Sequence, residues 1–534
     1  MHVKKEVKTL ENNKEMKRLA KTASVLTIVN LISVVMSFLQ QTVFANFFGT
    51  TPEADAYTIA SQIPVVLFAI ITTAVNTVII PIYSKSLHSE NNKEAAEFVN
   101  TFSTLLVLFT IGVVVLFEVF ANGIVCILSP GLTDEVHELS VTLTRIIMPT
   151  VVVNQLLTIN VGVMNSHKSF LLPALTSNIL NTIIIISTIT LAHRIGIYAS
   201  VFGTLLGVLI QTVYSFLICR KWHRYRVSFS LRNGRVKEAF KMIGPIFMGI
   251  GMAEINRIVD QIVASFFVVG SISALSYASK LTSSVSTLLI AGVSTIVYPE
   301  MAECATKNDG KAMSRILQTA LSFFLILLIP IMFGGFFLQK ELISLIFQRG
   351  AFAEASVDLV APLFVCYLIG LLFVSFRQVG SRLFYSFSDS KTPMFNSMIG
   401  VGVNIILNVW LGICYGAIGL AIATTISAVI TGVLILRAAK KRVQEISYRE
   451  TYVLALKTVL SGGTMLVALW GFRICMVQLI GLDIGLMIGK LVYCCLGILF
   501  GAIVYLVLLL LLNTKEIKTI FVSFKTRRKG EKNE

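Results

Sequence analysis

Acidic and basic side chains recur at helical spacing inside one long apolar segment, residues 243–267. Glu254, Arg257 and Asp260 are each three residues from the next, so they share one face of a helix. Arg257 lies about 14 residues into the segment, or about 21 Å by helical rise. An isolated charge at that depth of a membrane costs about 2.5–3.5 kcal/mol. The three groups are therefore expected either to face a polar cavity that binds substrate or to compensate one another and only hold helices together.

Other polar residues within apolar segments also predict contact with a polar ligand. Lys280 lies about 12 Å into the next apolar segment, residues 272–298, too deep to reach the outer headgroups, and is the best candidate for binding an anion. Arg145 lies at a similar depth in an earlier segment. Gln40 and Gln41 belong to a polar stripe on the first segment, which either lines a wet cavity or packs helices together.

A cation site is a further interpretation of the polar residues. Asn404 and Asn408 are four residues apart on one helix face, and Thr424 lies on the following segment. Their side-chain oxygens suit a hard cation such as sodium if a carboxylate such as Asp260 joins them. Hydrogen bonds between helices are an equally good explanation of the same residues.

The segments that carry these groups are too apolar for a soluble protein. Of the 534 residues, 55% are apolar and 14% are charged, against about 25% charged in a soluble domain. Runs of twenty or more apolar residues recur from Ala23 to Leu512, and each is long enough to cross a bilayer as a helix. The pattern predicts an all-α integral membrane protein with fourteen transmembrane helices. In chain order, predicted spans 1 to 14 are residues 23–48, 54–84, 97–128, 136–163, 170–192, 196–219, 243–267, 272–298, 314–338, 357–384, 393–414, 416–437, 452–476 and 481–512.

The net charge of +17 supports this topology and argues against nucleic-acid binding, because Lys and Arg lie mainly in the short segments between apolar runs. The turns after predicted spans 6 and 12 are strongly basic, whereas the opposite turns are neutral or acidic. The positive-inside rule therefore places both termini in the cytoplasm, and the basic turns are expected to touch anionic membrane lipids.

An internal repeat organises the chain. Residues 74–81 match residues 292–299 at an offset of 218, and Pro173 and Gly196 match Pro393 and Gly416 at an offset of 220. Six spans are thus duplicated, and because six is even both copies enter the membrane from the same side. The repeat predicts two parallel six-helix lobes around a central cavity, followed by two extra helices. The predicted regions are a basic N-terminal segment (1–22), an N-lobe (23–225), a C-lobe (226–442), helices 13 and 14 with a lipid-tail groove (443–512) and a basic tail (513–534).

No enzyme signature is found in the sequence: it has no glycine-rich phosphate loop, no His/Cys group at metal spacing and no nucleophile with a recognisable base. The eight cysteines lie mostly in apolar runs and are interpreted as small apolar fillers. A transporter without an organic cofactor is expected, driven by an ion gradient or by the membrane potential.

Several strings, in this order and spacing, resemble the MurJ/MviN lipid II flippases of the multidrug/oligosaccharidyl-lipid/polysaccharide exporter superfamily. The similarity covers about residues 22–442. The similar strings are Phe47-Phe48-Gly49 through Ala54-Asp55-Ala56, Ile243-Gly244-Pro245-Ile246, Ala264-Ser265-Phe266-Phe267, Tyr277-Ala278-Ser279-Lys280-Leu281, Phe347-Gln348-Arg349-Gly350-Ala351-Phe352, Phe384-Tyr385-Ser386 with Lys391-Thr392-Pro393, and Asn404 with Asn408.

The resemblance implies a monomer of the bacterial cytoplasmic membrane that exports a glycan linked to undecaprenyl pyrophosphate. It implies that a cationic cavity binds the pyrophosphate and sugars while the lipid tail lies in a groove formed with the last two helices. Asp55 and Lys280 keep the family's residue types at substrate-site positions. The family's sodium site maps onto Asp260, Asn404, Asn408 and Thr424.

The chain departs from the family at several cavity positions. The family's cavity arginines in spans 1 and 2 align with Val34, Gln40 and Phe68, and its span 1 aspartate aligns with Gln41. The predicted substrate site therefore consists of Lys280, Arg257, Gln40, Gln41, Asp55, Arg145 and Glu254. Lipid II is the expected substrate; the alternatives are a different lipid-linked oligosaccharide of exopolysaccharide or capsule type and, less favoured, a cation-coupled multidrug exporter.

Overall fold

The computed structural model describes residues 2–88, 92–230, 239, 254–480, 483 and 485–514. Within these ranges the chain is helical and contains no β-strand, which confirms the predicted all-α class. Contacts divide the chain into two units, Met1–Ser273 and Ala274–Glu534. The division falls later than the predicted lobe boundary at residues 225 and 226, and it groups the helix at residues 254–264 with the first unit. The lobe boundaries stay a prediction.

The first unit consists of long helices packed around apolar side chains. Its helices are α1 (His2–Phe48), α2 (Pro52–His88), α3 (Asn92–Val119), α4 (Ala121–Leu128), α5 (Asp134–Ile147), α6 (Thr150–Ser166), α7 (Leu171–Ala174), α8 (Thr176–Ile195), α9 (Tyr198–Cys219) and α10 (254–264). Helix α2 packs against α5 and α6, and α8 packs against α9 and α1. Buried Ile79, Phe98, Phe102 and Ile159 belong to one cluster in the core. Large apolar residues exclude water there, and their burial stabilises the helix contacts.

The second unit begins inside a continuous helix. Its helices are α11 (Ser271–Lys307, which starts in the first unit), α12 (Gly310–Phe337), α13 (Gln339–Phe347), α14 (Glu354–Ser386), α15 (Lys391–Tyr415), α16 (Ala417–Arg442), α17 (Arg449–Arg473), a π-helical turn (Ile474–Leu479) and α18 (Met487–Leu511). Helix α16 packs against α14 and α15, while α17 packs against α12 and α18. Helices α17 and α18, which correspond to the two predicted extra helices, therefore pack on the second unit through α12 and α13.

Eleven helices of the described residues are long and apolar enough to cross a membrane. They correspond to predicted spans 1, 3 to 6 and 9 to 14. Predicted spans 2 and 8 fall on α2 and α11, which are helices of 37 residues each. Predicted span 7 is described only from residue 254 onward; its residues 243–253 lie outside the described part. The multi-pass class is thus confirmed, and the exact number of fourteen stays a prediction.

The repeat appears in the backbone as paired left-handed residues. Gly196, between α8 and α9, has φ 58° and ψ −138°, and Gly416, between α15 and α16, has φ 60° and ψ −138°. A β-carbon at either glycine would meet no atom within 4 Å, so the requirement for glycine is conformational rather than steric. Lys168 and Ser388 repeat the same relation, each with φ 58° after a helix end. Residues 220 positions apart therefore make equivalent turns.

Predicted spans 3, 4 and 5 are interrupted, and one helix was not predicted. Predicted span 3 (97–128) is divided into α3, which ends at Val119, and the short α4. Predicted span 4 (136–163) breaks between α5 and α6 at Pro149, because proline lacks an N–H and restricts the residue before it. Predicted span 5 (170–192) begins as the short α7 and continues after Leu175 as α8. The short helix α13 follows α12 directly, where the sequence predicted only the end of a span.

Candidate substrate and ion sites

Asp55 is buried in the first turn of α2 and binds the start of α11. Its side chain is 4% exposed, and its two carboxylate oxygens accept hydrogen bonds from the backbone N–H groups of Gly270 (2.6 Å) and Ser273 (2.7 Å). The first N–H groups of a helix have no partner within the helix, and a carboxylate satisfies them and also complements the helix dipole. Asp55 therefore acts as a cap for α11 from a position 215 residues earlier in the chain.

The close approach at this cap requires glycine at position 270. Gly270 has φ +91°, and a β-carbon there would lie 2.5 Å from the carbonyl oxygen of Thr50. Two further contacts hold the neighbouring turn: Gly131 N–H donates to Ser265 Oγ (3.1 Å), and Gln261 Nε2 donates to Ser129 Oγ (3.1 Å). These hydrogen bonds fix the turn that leads into α11.

Lys280 is half-buried on α11, about ten residues or 15 Å beyond Gly270 by helical rise. Its carbonyl oxygen accepts hydrogen bonds from the hydroxyls of Ser283 and Ser284, each at 2.9 Å. Among the ion pairs of the described residues, none involves the Lys280 ammonium. Its role in binding an anion stays a prediction.

Glu254 and Arg257 form the ion pair that their spacing suggests. Glu254 Oε2 lies 3.4 Å from Arg257 Nη1, with the side chains 8% and 58% exposed, respectively. Asp260 accepts a hydrogen bond from Asn256 Nδ2 at 3.3 Å. An ion pair of this length with one exposed partner contributes little to stability. The Arg257 side chain remains more than half exposed in this pair.

Three other predicted substrate residues lie on α1 and α5. Gln40 and Gln41 are half-buried on α1, and Arg145 is exposed on α5. In the described part of the first unit, no hydrogen bond joins any of them to Asp55 or Glu254. Their role in substrate binding stays a prediction.

Asn404, Asn408 and Thr424 are brought together, as predicted. Asn408 Nδ2 donates to Asn404 Oδ1 (2.8 Å), Asn404 Nδ2 donates to Thr424 Oγ1 (3.4 Å), and that hydroxyl donates to the Leu420 carbonyl oxygen (3.0 Å). Both asparagines are buried. These hydrogen bonds join α15 to α16. They are the contacts between helices that the sequence analysis gave as the alternative to a cation site.

The donor set of this cluster includes oxygens of the kind that a hard cation prefers. It consists of amide and hydroxyl oxygens, which suit sodium or another hard cation. Asp260, the one predicted carboxylate, belongs to the first unit. Across the described residues, no group of three His, Cys, Asp or Glu side chains is arranged to hold a metal ion. The sodium site stays a prediction.

Sequence reasoning missed Gly270 and Ser273 as the partners of Asp55. The repeat contained a usable signal, because the offset of 218 aligns Asp55 with Ser273 in the first turns of α2 and α11. Equivalent helix starts in a duplicated protein are reasonable candidates for contact. The positive φ of Gly270, however, cannot be predicted from the spacing of residue types in the sequence.

The repeated helical units and the charged side chains within apolar helices define a multi-pass membrane transporter. The family model described as "Lipid II flippase MurJ" matches residues 44–492. The chain therefore belongs to the MurJ family of lipid II flippases, which are transporters and not enzymes.

Known relatives and solved structures support this assignment. A probable lipid II flippase MurJ from Rickettsia prowazekii is 27% identical over 415 residues, covering 77% of this chain and 82% of the relative. A solved structure titled lipid II flippase MurJ in an inward closed conformation has a TM-score of 0.78 at 27% identity, covering 90% of this chain and 97% of that one. An inward-facing multidrug transporter of the MATE family has a TM-score of 0.65 at 13% identity, covering 78% of this chain and 98% of the other, and shows a shared fold alone.

Proposed function

We propose that this protein moves lipid II from the inner to the outer leaflet of the bacterial cytoplasmic membrane by alternating access. The match to the lipid II flippase family over residues 44–492 is the observation that carries the proposal. The Lys280 ammonium supports it, because the ion pairs of the described residues do not include it, and a cation in a predicted membrane span suits an anionic headgroup.

Each predicted residue has a separate role in this proposal. Lys280 and Arg257 bind the pyrophosphate, with Glu254 orienting Arg257. Gln40 and Gln41 hydrogen-bond to the sugars, and Arg145 adds positive charge. Asp55 holds the start of α11, the helix that carries Lys280, and so acts by positioning.

The protein is further proposed to act as a monomer with both termini in the cytoplasm. The basic ends of α16 and of the turn after α9 support this orientation, because positive segments remain on the cytoplasmic side. The same basic segments would contact anionic lipid headgroups.

A flippase for a different lipid-linked glycan is the second candidate. One observation favours it: Val34, Gln40 and Phe68 stand where the family has cavity arginines. A cation-coupled multidrug exporter is less favoured, since the Lys280 ammonium, which pairs with no carboxylate of the described residues, attracts anions rather than cationic drugs.

The deciding experiment is rescue of bacterial cells depleted of their own lipid II flippase. Expression of this chain is expected to restore growth and normal cell shape. Cells that express a variant with Lys280→Ala at the same membrane level serve as the control. If the unaltered chain reaches the membrane but does not rescue, the different-glycan hypothesis replaces lipid II.

Energy coupling leads to a separate prediction. A site of Asp260, Asn404, Asn408 and Thr424 has only one carboxylate, so we propose weak sodium binding and a drive from the membrane potential, which does about 2.3 kcal/mol of work per charge per 100 mV. In vesicles with the sodium gradient and the potential set independently, flipping is expected to persist without sodium and to stop when the potential is dissipated. Flipping that follows sodium alone, and is lost in Asn408→Ala, would establish a functional sodium site instead.

A further inference from the structure

A basic cleft lies between the end of α16 and the start of α17, in the second unit. Its volume is about 880 Å³, within the usual range for pockets that hold a small ligand. The residues that line it are Arg437, Lys440, Lys441, Ser447, Tyr448, Arg449, Tyr452 and Val453. The proposed transport cycle does not use this cleft, although Lys440 and Lys441 belong to the basic turn that is expected to touch anionic lipids.

Four cations converge on the cleft, and none of the described residues that line it carries a carboxylate. None of the ion pairs found among the described residues includes any of these four. The acidic residue of the connecting turn, Glu445, packs its carboxylate against Gly310. The adjacent Arg442 stacks on the Phe387 ring, 4.9 Å from its centre, and does not line the cleft. The residues that line the cleft therefore do not neutralise its positive charge.

The turn that forms the cleft is held by hydrogen bonds and is thus preformed. Tyr448 donates from its hydroxyl to the Leu436 carbonyl oxygen on α16 (2.7 Å). Gln318 Nε2 donates to the Ser447 carbonyl oxygen (2.6 Å), and Ser314 Oγ donates to that of Glu445 (3.1 Å). Arg449 then begins α17, and the N-terminal end of a helix adds partial positive charge. A preformed site loses less entropy on binding than a flexible one.

The cleft lies where two membrane-spanning helices meet a short basic connection. Both α16 and α17 belong to candidate membrane spans. The last turn of α16 contains the three basic residues Lys440, Lys441 and Arg442. Tyr452 is 73% exposed one turn into α17, as is typical of aromatic residues at the membrane–water boundary. A ligand in the cleft would therefore be at the level of the lipid headgroups.

We propose that this cleft binds the phosphate groups of an anionic ligand, supplied either by a phospholipid headgroup or by a free phosphate compound. Lys440 and Lys441 act as point charges, while Arg437 and Arg449 can each bind two phosphate oxygens through their planar guanidinium groups. Its volume accommodates more than a single phosphate, so a ligand with two phosphate groups is expected to bind more tightly than one with a single group.

The test uses the full-length protein purified in detergent micelles. Binding of fluorescently labelled phosphatidylglycerol is measured against phosphatidylcholine, and unlabelled inorganic pyrophosphate is added in a separate titration. The variant is Lys440→Gln with Lys441→Gln. The matched control is Lys311→Gln with Arg315→Gln, which removes two exposed charges from the start of α12 in the same unit.

The double variant in the cleft is expected to weaken phosphatidylglycerol binding about 30-fold, because each basic residue near a membrane surface contributes about 1 kcal/mol. The control is expected to change binding less than about threefold. Competition by pyrophosphate at micromolar concentration would support the phosphate site and assign it to free phosphates; a preference for phosphatidylglycerol without such competition would assign it to lipid. Equal losses in the two double variants, or equal binding of the two lipids without any pyrophosphate binding, would overturn the proposal.

Discussion

A variant with Lys280→Ala is expected to reach the membrane in normal amounts and to lose lipid flipping by about 100-fold. A charge-assisted hydrogen bond to a phosphate contributes about 1.5–3 kcal/mol. Among the described residues, no carboxylate forms an ion pair with Lys280. Lys280→Arg keeps the charge with a different geometry and is expected to retain part of the activity. The measurement is flipping by purified protein in vesicles, with protein amount matched.

Lys307 provides the control on the same helix. It lies at the other end of α11, exposed and 2.5 Å from Glu303, and a surface ion pair of this kind contributes little. Lys307→Ala is therefore expected to flip at nearly the rate of the unaltered protein. Normal flipping by Lys280→Ala, or equal losses in the two variants, would exclude Lys280 as the residue that binds the pyrophosphate.

Replacing Asp55 with alanine is expected to lower both thermal stability and transport. The change removes two short hydrogen bonds and leaves the N–H groups of Gly270 and Ser273 buried without that partner. Each such group costs about 1–3 kcal/mol, so the start of α11 should loosen. Asp55→Asn retains one acceptor oxygen without the charge and is expected to fall between alanine and aspartate. Thermal unfolding in detergent and flipping in vesicles are the two measurements.

Glu53 is the matched control for Asp55, because it lies in the same first turn of α2 and is exposed. Glu53→Gln is expected to leave stability and flipping almost unchanged. If Asp55→Ala unfolds at the temperature of the unaltered protein yet does not flip, Asp55 contacts substrate directly and the positioning role is wrong. If both properties are unaltered, the cap has no functional role.

Composition and periodicity by themselves determined the class and the repeated organisation of this protein. Apolar runs of about twenty residues have one stable solution in a bilayer, which is a helix that satisfies its own backbone hydrogen bonds. Eleven described helices follow from that rule. The duplicated Gly196 and Gly416 were visible as a repeat because a turn that combines φ near 60° with ψ of −138° favours glycine in both copies. The spacing of Glu254 and Arg257 likewise predicted their pairing, since residues three apart are neighbours on a helix.

Only the tertiary structure decided which distant groups meet. Asp55 was placed by sequence at a substrate site, yet its carboxylate binds backbone N–H groups more than 200 residues later. Asn404 and Asn408 were assigned either to a cation or to helix packing, and their hydrogen bonds to each other and to Thr424 show the packing contact. In the sequence, the basic residues of α16 and α17 indicated only the orientation of the helices in the membrane. The turn between the two helices places these residues around one cleft. Local periodicity reports which face of a helix a residue occupies, whereas contacts between helices depend on long-range packing, which leaves no period in the sequence.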